Sequence, residues 1–600
     1  MNDLLHRIDP AAGVVIDSAS LRSRVDERLG LAGTVLPVAV RVRRPWLAAA
    51  ATFAVVLAVF IPVLLNRQGE STGDLAFQEA VSRIPGVQAV IHESAGGGVR
   101  TIAVDGETMW VTSALARQLT RIDVANNAVE ESYPIDAYVE GVNVGGGYVW
   151  LLSYDNGGEV LRFDPNAGVV DLVIPLGASP GGVQWYADRL WVSNSDGQLL
   201  QISVDGDIES TTRGELVGMA FGSLWVIDPE TRILQDYTGE GPGSVAIPTE
   251  EMLVGQVIEG GGYLWLLERD LSIVGSVHRY DRDGGEPTSV RVGYGAHAMV
   301  ELDGSIWIAS LWDETVTRID AATSEVVAVT PLPGRTGALA AADGSLWVSF
   351  YQPGLLIRLD PQADLMEIGD VVVDEVIDGY RFLCTGDANG PTVLLDPEWW
   401  IGPGSWSVIQ AELSSHALVC AHGAVNDRDS ATKVANLLRV LEEFEVEGPY
   451  LLVAHGTGVV PTRLLAEEAL DVAGVVLVDP VPTGFLELMQ TALPEGMVPG
   501  TFGLDDPGPL GDLGSIPLIV IGDDQSTTFR SDSFDENTGS DPGTGALLAQ
   551  AWADGLSFYA GLSTDSRSIT ISGSYHMVIW NRPETVVEAV LDLLEAGEAP

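Results

Sequence analysis

Three patterns of apolar and polar positions follow one another along the chain. The first is unbroken: from Trp46 to Leu65 the sequence reads WLAAAATFAVVLAVFIPVLL, without a charge, which is the length a helix needs to cross a hydrocarbon core. The second, between residues 96 and 370, repeats. An apolar-Trp-apolar cluster returns at Trp110, Trp150, Trp191, Trp225, Trp265, Trp307 and Trp347, at intervals of 40, 41, 34, 40, 42 and 40 residues. Downstream of most of these, a second alternating segment ends in an acidic turn: LTRID at Asp123, VLRFD at Asp164, VHRYD at Asp281, VTRID at Asp320 and LIRLD at Asp360. Period-two alternation bounded by Gly-rich turns predicts strands, and a period near 40 with several strands per unit predicts radially repeated sheets. The third pattern begins near Tyr380. Short apolar runs at Arg381–Gly386, Pro391–Asp396, Ala417–His422, Tyr450–His455, Gly474–Asp479 and Pro517–Gly522 alternate with helical runs such as Ala431–Glu443 and Val460–Leu470, which predicts a parallel sheet.

The first pattern sets the expected topology. Arg41, Arg43 and Arg44 precede the apolar run and only Arg67 follows it closely, which places residues 1–45 in the cytoplasm and the rest outside. A 45-residue polar leader is long for a signal peptide, and no small-residue cleavage pattern follows, so an uncleaved anchor is expected. The chain is thus expected to be a single-pass cell-membrane protein. Its parts are a cytoplasmic tail (1–45), a transmembrane helix (46–65), a linker (66–95), a propeller (96–370) and a final α/β domain (371–600).

Composition narrows the partners. Six hundred residues with 84 acidic and 31 basic side chains give a formal net charge of −53, and a polyanion repels nucleic acid and anionic lipid. Lys433 is the sole lysine. No acidic run has calcium-loop spacing, and no metal-ligand spacing surrounds Cys384 and Cys420, the only cysteines. No cofactor or metal is therefore expected, and the cysteines are open to one disulfide or to two buried thiols.

The repeat resembles the YVTN, NHL and virginiamycin-lyase-like propellers, which implies a closed seven-bladed ring. At fixed repeat positions the tryptophans read as packing between blades, and the short interval suggests a trimmed blade. The strand-like Gln88–Glu93 is a candidate to complete the last blade. Without the clustered catalytic His of a propeller lyase, the ring reads as a recognition surface or scaffold for an unknown protein or small molecule.

The strand-turn-helix at Tyr450–Leu470 resembles the α/β-hydrolase fold. The expected fold class is then multidomain: a transmembrane helix, an all-β seven-bladed propeller, and an α/β-hydrolase-like, doubly wound, mostly parallel sheet. The family's nucleophile elbow has small residues two before and two after the attacking serine. Here it reads Ala454-His455-Gly456-Thr457-Gly458, and the nucleophile's place holds Gly456. Moving the frame to Thr457 puts His455 and Val459 where small residues are needed. In SGSYHMVIWNRPE, His576 resembles the family's catalytic histidine; Asp479, or Asp523 and Asp524, are candidates for its acid. The segment expected to supply oxyanion donors, Asp396-Pro397-Glu398-Trp399-Trp400, holds a proline and a carboxylate. These changes imply a domain that binds without hydrolysing. The alternative is an active ester or amide hydrolase with a displaced nucleophile, Thr457, Ser405 or Ser574. The resemblance also puts Cys384 and Cys420 on neighbouring strands, which favours the disulfide.

Overall fold

A computed structural model describes residues 72–597, apart from 93–97, 115, 238–243, 247–253, 269–273, 283–284, 352–353, 364, 366, 378, 388–389, 399–400, 424–429, 469–470, 494–511, 525–534, 536–539, 573 and 575. Strand makes up 49% and helix 20%, so the molecule is mainly β. The expected fold class and location are corrected in their membrane part. No helix among the described residues is long and apolar enough to cross a membrane, and the run at 46–65 on which the anchor was expected lies outside the described residues. Contacts divide the chain into compact units holding Phe77–Glu367 and Ile368–Pro600.

The first unit is a propeller of seven four-stranded antiparallel blades. Blades 1 to 6 run through Val99–Pro134, Val139–Pro175, Pro180–Arg213, Glu215–Ala246, Val254–Tyr294 and Ala296–Pro331. A single parallel pair, Gly218 with Val257, joins blades 4 and 5 into one sheet. Blade 7 takes Thr336–Ala342, Ser345–Phe350 and Leu355–Leu359 from one end of the repeat and Val87–His92 from the other, paired as Val90 with Ile357. The stretch 66–95, expected as a linker, therefore supplies the strand that closes the ring, preceded by a helix at Thr72–Ser82. The blades on either side of the short interval both keep four strands; the interval arises from the single residue, Gly214, that links them, together with a shorter turn at 195–197 and shorter strands.

Six of the seven repeated tryptophans pack toward the following blade. Trp110 shares a core with Val142 and Leu161, Trp150 with Leu190 and Ile202, Trp265 with Met299 and Ile306, and Trp347 with Val99 and Met109 across the ring closure. The indole N–H groups of Trp150, Trp191, Trp225, Trp265 and Trp347 donate to the backbone carbonyl five residues earlier, at 3.1–3.3 Å. Burying the ring then strands no polar atom there. The arginine of the second motif is a second inter-blade tie. Arg162, Arg279 and Arg318 donate to the carbonyls of Val204, Ala322 and Pro361 in the next blade, and Arg358 donates to Val124 O at 3.0 Å, tying blade 7 to blade 1.

The second unit is an eight-stranded mixed sheet. Its strand order is Val371–Ile377, Tyr380–Thr385, Val419–Gly423, Thr392–Asp396, Tyr450–His455, Val472–Val478, Leu518–Asp523 and Ser566–Ile571. Tyr380–Thr385 is antiparallel to both neighbours, and the strands from Val419–Gly423 onward pair in parallel. Cys384 and Cys420 face each other in register and form a disulfide. The central parallel strands are buried along their length, as sheets covered on both faces require, and their C-terminal ends carry the side chains described next.

Candidate functional site

The Tyr450–His455 strand turns sharply through Gly456–Gly458 into the helix Val459–Glu468. Gly456 has φ +57°, in the left-handed region that disfavours side chains. A β-carbon there would also lie 2.8 Å from Glu398 Cδ, 2.9 Å from Glu398 Oε1 and 3.0 Å from His576 Nε2. Gly458 is needed for a different reason: a β-carbon on it would meet the carbonyl oxygens of Asp396 and Pro397 at 2.8 and 2.9 Å.

Two carboxylates flank His576. Its Nδ1 lies 2.8 Å from Asp479 Oδ2 and its Nε2 lies 3.2 Å from Glu398 Oε2. Asp479, fully buried just past the Val472–Val478 strand, also accepts from Trp552 Nε1 and from the backbone N–H of Asp523, both at 3.0 Å. Burial alone would push the imidazole pKa down; Glu398 and then Asp479 outweigh it and raise it to about 10. The ring is therefore a cation between two carboxylates at neutral pH. The edge of Trp552 packs against it, with centroids 5.4 Å apart.

His455 stacks on His576 with ring centroids 4.7 Å apart, and its Nε2 donates to the His576 carbonyl at 2.8 Å. Burial, then the neighbouring cation, lowers its pKa to about 4, so it stays neutral. A second buried pair anchors the segment that delivers Glu398. Lys433 Nζ donates to Asp396 Oδ1 at 3.0 Å and to Pro397 O at 3.1 Å, and Thr462 donates to Asp396 Oδ2 at 3.2 Å.

Of the residues singled out from sequence, His455, Gly456, Asp479 and His576 come together. Asp524 instead accepts from Ser572 at 2.7 Å, and Asp523 accepts from Ser574 N and Oγ at 3.0 and 2.8 Å. Ser405 donates to Gly402 O at 2.9 Å. Thr457 sits on the turn, half-buried, while both nitrogens of His576 face carboxylates. From sequence, Glu398 is marked only as a carboxylate in the segment expected to supply oxyanion donors, and Lys433 is given no role. The signals were a missing side chain at 456, whose space a neighbour must fill, and a single lysine in an otherwise lysine-free chain.

No family profile matches the chain, and no curated protein matches it. Solved structures do match. Hydrazine synthase of Kuenenia stuttgartiensis is 13% identical at a TM-score of 0.35, covering 45% of this chain and 97% of its own. BamB from Moraxella catarrhalis is 13% identical at 0.33, covering 46% of this chain and 91% of its own. The propeller assignment rests on the seven blades themselves.

Proposed function

We propose that this is a binding protein in which the propeller is the recognition surface or scaffold, and in which Ile368–Pro600 is an α/β-hydrolase-like domain that no longer hydrolyses. Two features support the hydrolase-like reading: a second strand antiparallel to both neighbours, and a sharp strand-turn-helix after the Tyr450–His455 strand. The observation that carries the loss of hydrolysis is the position of Glu398. Its carboxyl group lies 2.8–2.9 Å from where a side chain on residue 456 would begin, so it fills the nucleophile's place rather than lining it. Attack needs a nucleophile whose proton the imidazole can take, and here the imidazole is engaged by carboxylates on both nitrogens. A buried negative charge at that point also opposes the oxyanion that acyl transfer must stabilise.

For the propeller, the reading rests on the repeated tryptophans and arginines being consumed in blade packing, which leaves the connecting loops to make contacts. The full-length chain, assayed on a panel of p-nitrophenyl esters of increasing acyl length, is expected to give the buffer rate, unchanged in His576→Ala. Turnover above buffer that His576→Ala abolishes would mean a working hydrolase with a displaced nucleophile.

A further inference from the structure

We propose that Glu398, His455 and His576 form a binding site for one divalent transition-metal ion of the zinc class. Each offers a ligand atom, and these atoms lie within 4.8 Å of one another. Two imidazoles and a carboxylate are a donor set that zinc accepts, and three protein ligands leave one position for water or a small ligand. The three residues come from separate segments of the chain, and none has ligand spacing with another.

Three further observations point to an ion. The first is an unpartnered donor: His455 is fully buried, and because its Nε2 carries the hydrogen bonded to the His576 carbonyl, Nδ1 holds the lone pair. That Nδ1 is buried and has no hydrogen-bond partner among the described residues, a cost that a metal bond removes.

The second is the separation of His576 Nε2 and Glu398 Oε2, 3.2 Å. It exceeds the roughly 2.7–2.9 Å usual for a charged N–H···O bond. It is close to the edge, about 3.4 Å, between two donors that hold an ion at about 2.1 Å in a tetrahedron.

The third is orientation from behind. Asp479 binds Nδ1 of His576 and so turns Nε2, whose proton a metal ion would displace, toward Glu398, as carboxylates behind metal-bound histidines do. Gly456 completes the arrangement, since any side chain there would crowd the Glu398 carboxyl group and His576 Nε2.

The site uses the same pocket as the reading above but does not depend on that pocket being inert, and the test reads binding rather than turnover. Chelator-treated full-length chain is titrated with Zn2+ by calorimetry and with Co2+ by visible absorption. One equivalent is expected to bind, with the intense cobalt bands of four or five coordination. Glu398→Gln and His455→Asn, checked for folding by circular dichroism, are expected to lose it. Asp479→Asn is expected to weaken it by about 10–100-fold, and Asp524→Asn to leave it unchanged. Failure of the wild-type chain to bind one equivalent, weak octahedral cobalt bands, or equal binding by folded Glu398→Gln would each overturn the site. Zinc-dependent ester turnover would overturn the non-hydrolytic reading while upholding the site.

Discussion

At position 456 a hydrogen atom is all that the backbone angle and the Glu398 carboxyl leave room for. Gly456→Ser is therefore expected to destabilise the chain by about 1–3 kcal/mol, through strain at positive φ and crowding, as measured by urea unfolding. If the crowding comes from Glu398, the double variant Glu398→Ala with Gly456→Ser will cost less than the two single changes summed, with a coupling of about 0.5–3 kcal/mol. Additive costs would mean that the two residues do not compete for the space. Gly456 and His576 stood out in the sequence because each sits in a short local motif. Glu398 stood out only as a carboxylate opposed to an oxyanion; its place beside residue 456 is visible only once Thr392–Asp396 pairs with Tyr450–His455.

At the scale of the elements, the acidic residue that ends the second motif builds a turn in several blades: Asp164, Asp320 and Asp360 accept backbone N–H groups two or three residues on, and Asp228, just past the Trp225 strand, does the same. Such bonds favour the ionised form. The Asn126 side chain and backbone hold Asp123 below the usual carboxylate range, backbone N–H groups of Thr231 and Glu230 do so for Asp228, and the backbone and hydroxyl of Thr323 do so for Asp320. A folded pKa below the unfolded one contributes stability that is present above the unfolded value, about 4, and is lost as pH falls through the folded value. Changing Asp123, Asp228 and Asp320 together to Asn is expected to flatten the acid side of the propeller's stability profile below about pH 4, and an unchanged profile would reject this role.

The elements most legible in sequence were those buried on one or both faces, where apolar alternation or runs are unbroken. The strand Val371–Ile377, at one edge of the C-terminal sheet, was missed because it carries mostly exposed or half-exposed positions. Gln88–Glu93 was read as a strand because it alternates, but its partner, more than 250 residues away, was set by ring closure.

For the molecule as a whole, the two units have separate cores, and only one carries a cross-link. The Cys384–Cys420 disulfide closes a separation of 36 residues, which corresponds to about 3–4 kcal/mol of loop entropy removed from the unfolded chain. Differential scanning calorimetry under reducing conditions is expected to lower the transition of the Ile368–Pro600 unit and leave that of the propeller in place. A shift of both would show that the bond supports more than its own sheet.

Sequence pattern placed the repeated strands around the tryptophans and the buried strands of the C-terminal sheet. It was misleading for the membrane, where an apolar run was read as an anchor although no described helix meets that requirement.

In the proposed reading, the Glu398 carboxylate occupies the place of an attacking oxygen. The most direct measurement is exposure of the folded, full-length chain to a fluorophosphonate probe, followed by intact-mass spectrometry. No covalent adduct is expected. A stoichiometric adduct mapped to Thr457, Ser405 or Ser574, and lost in His576→Ala, would contradict it.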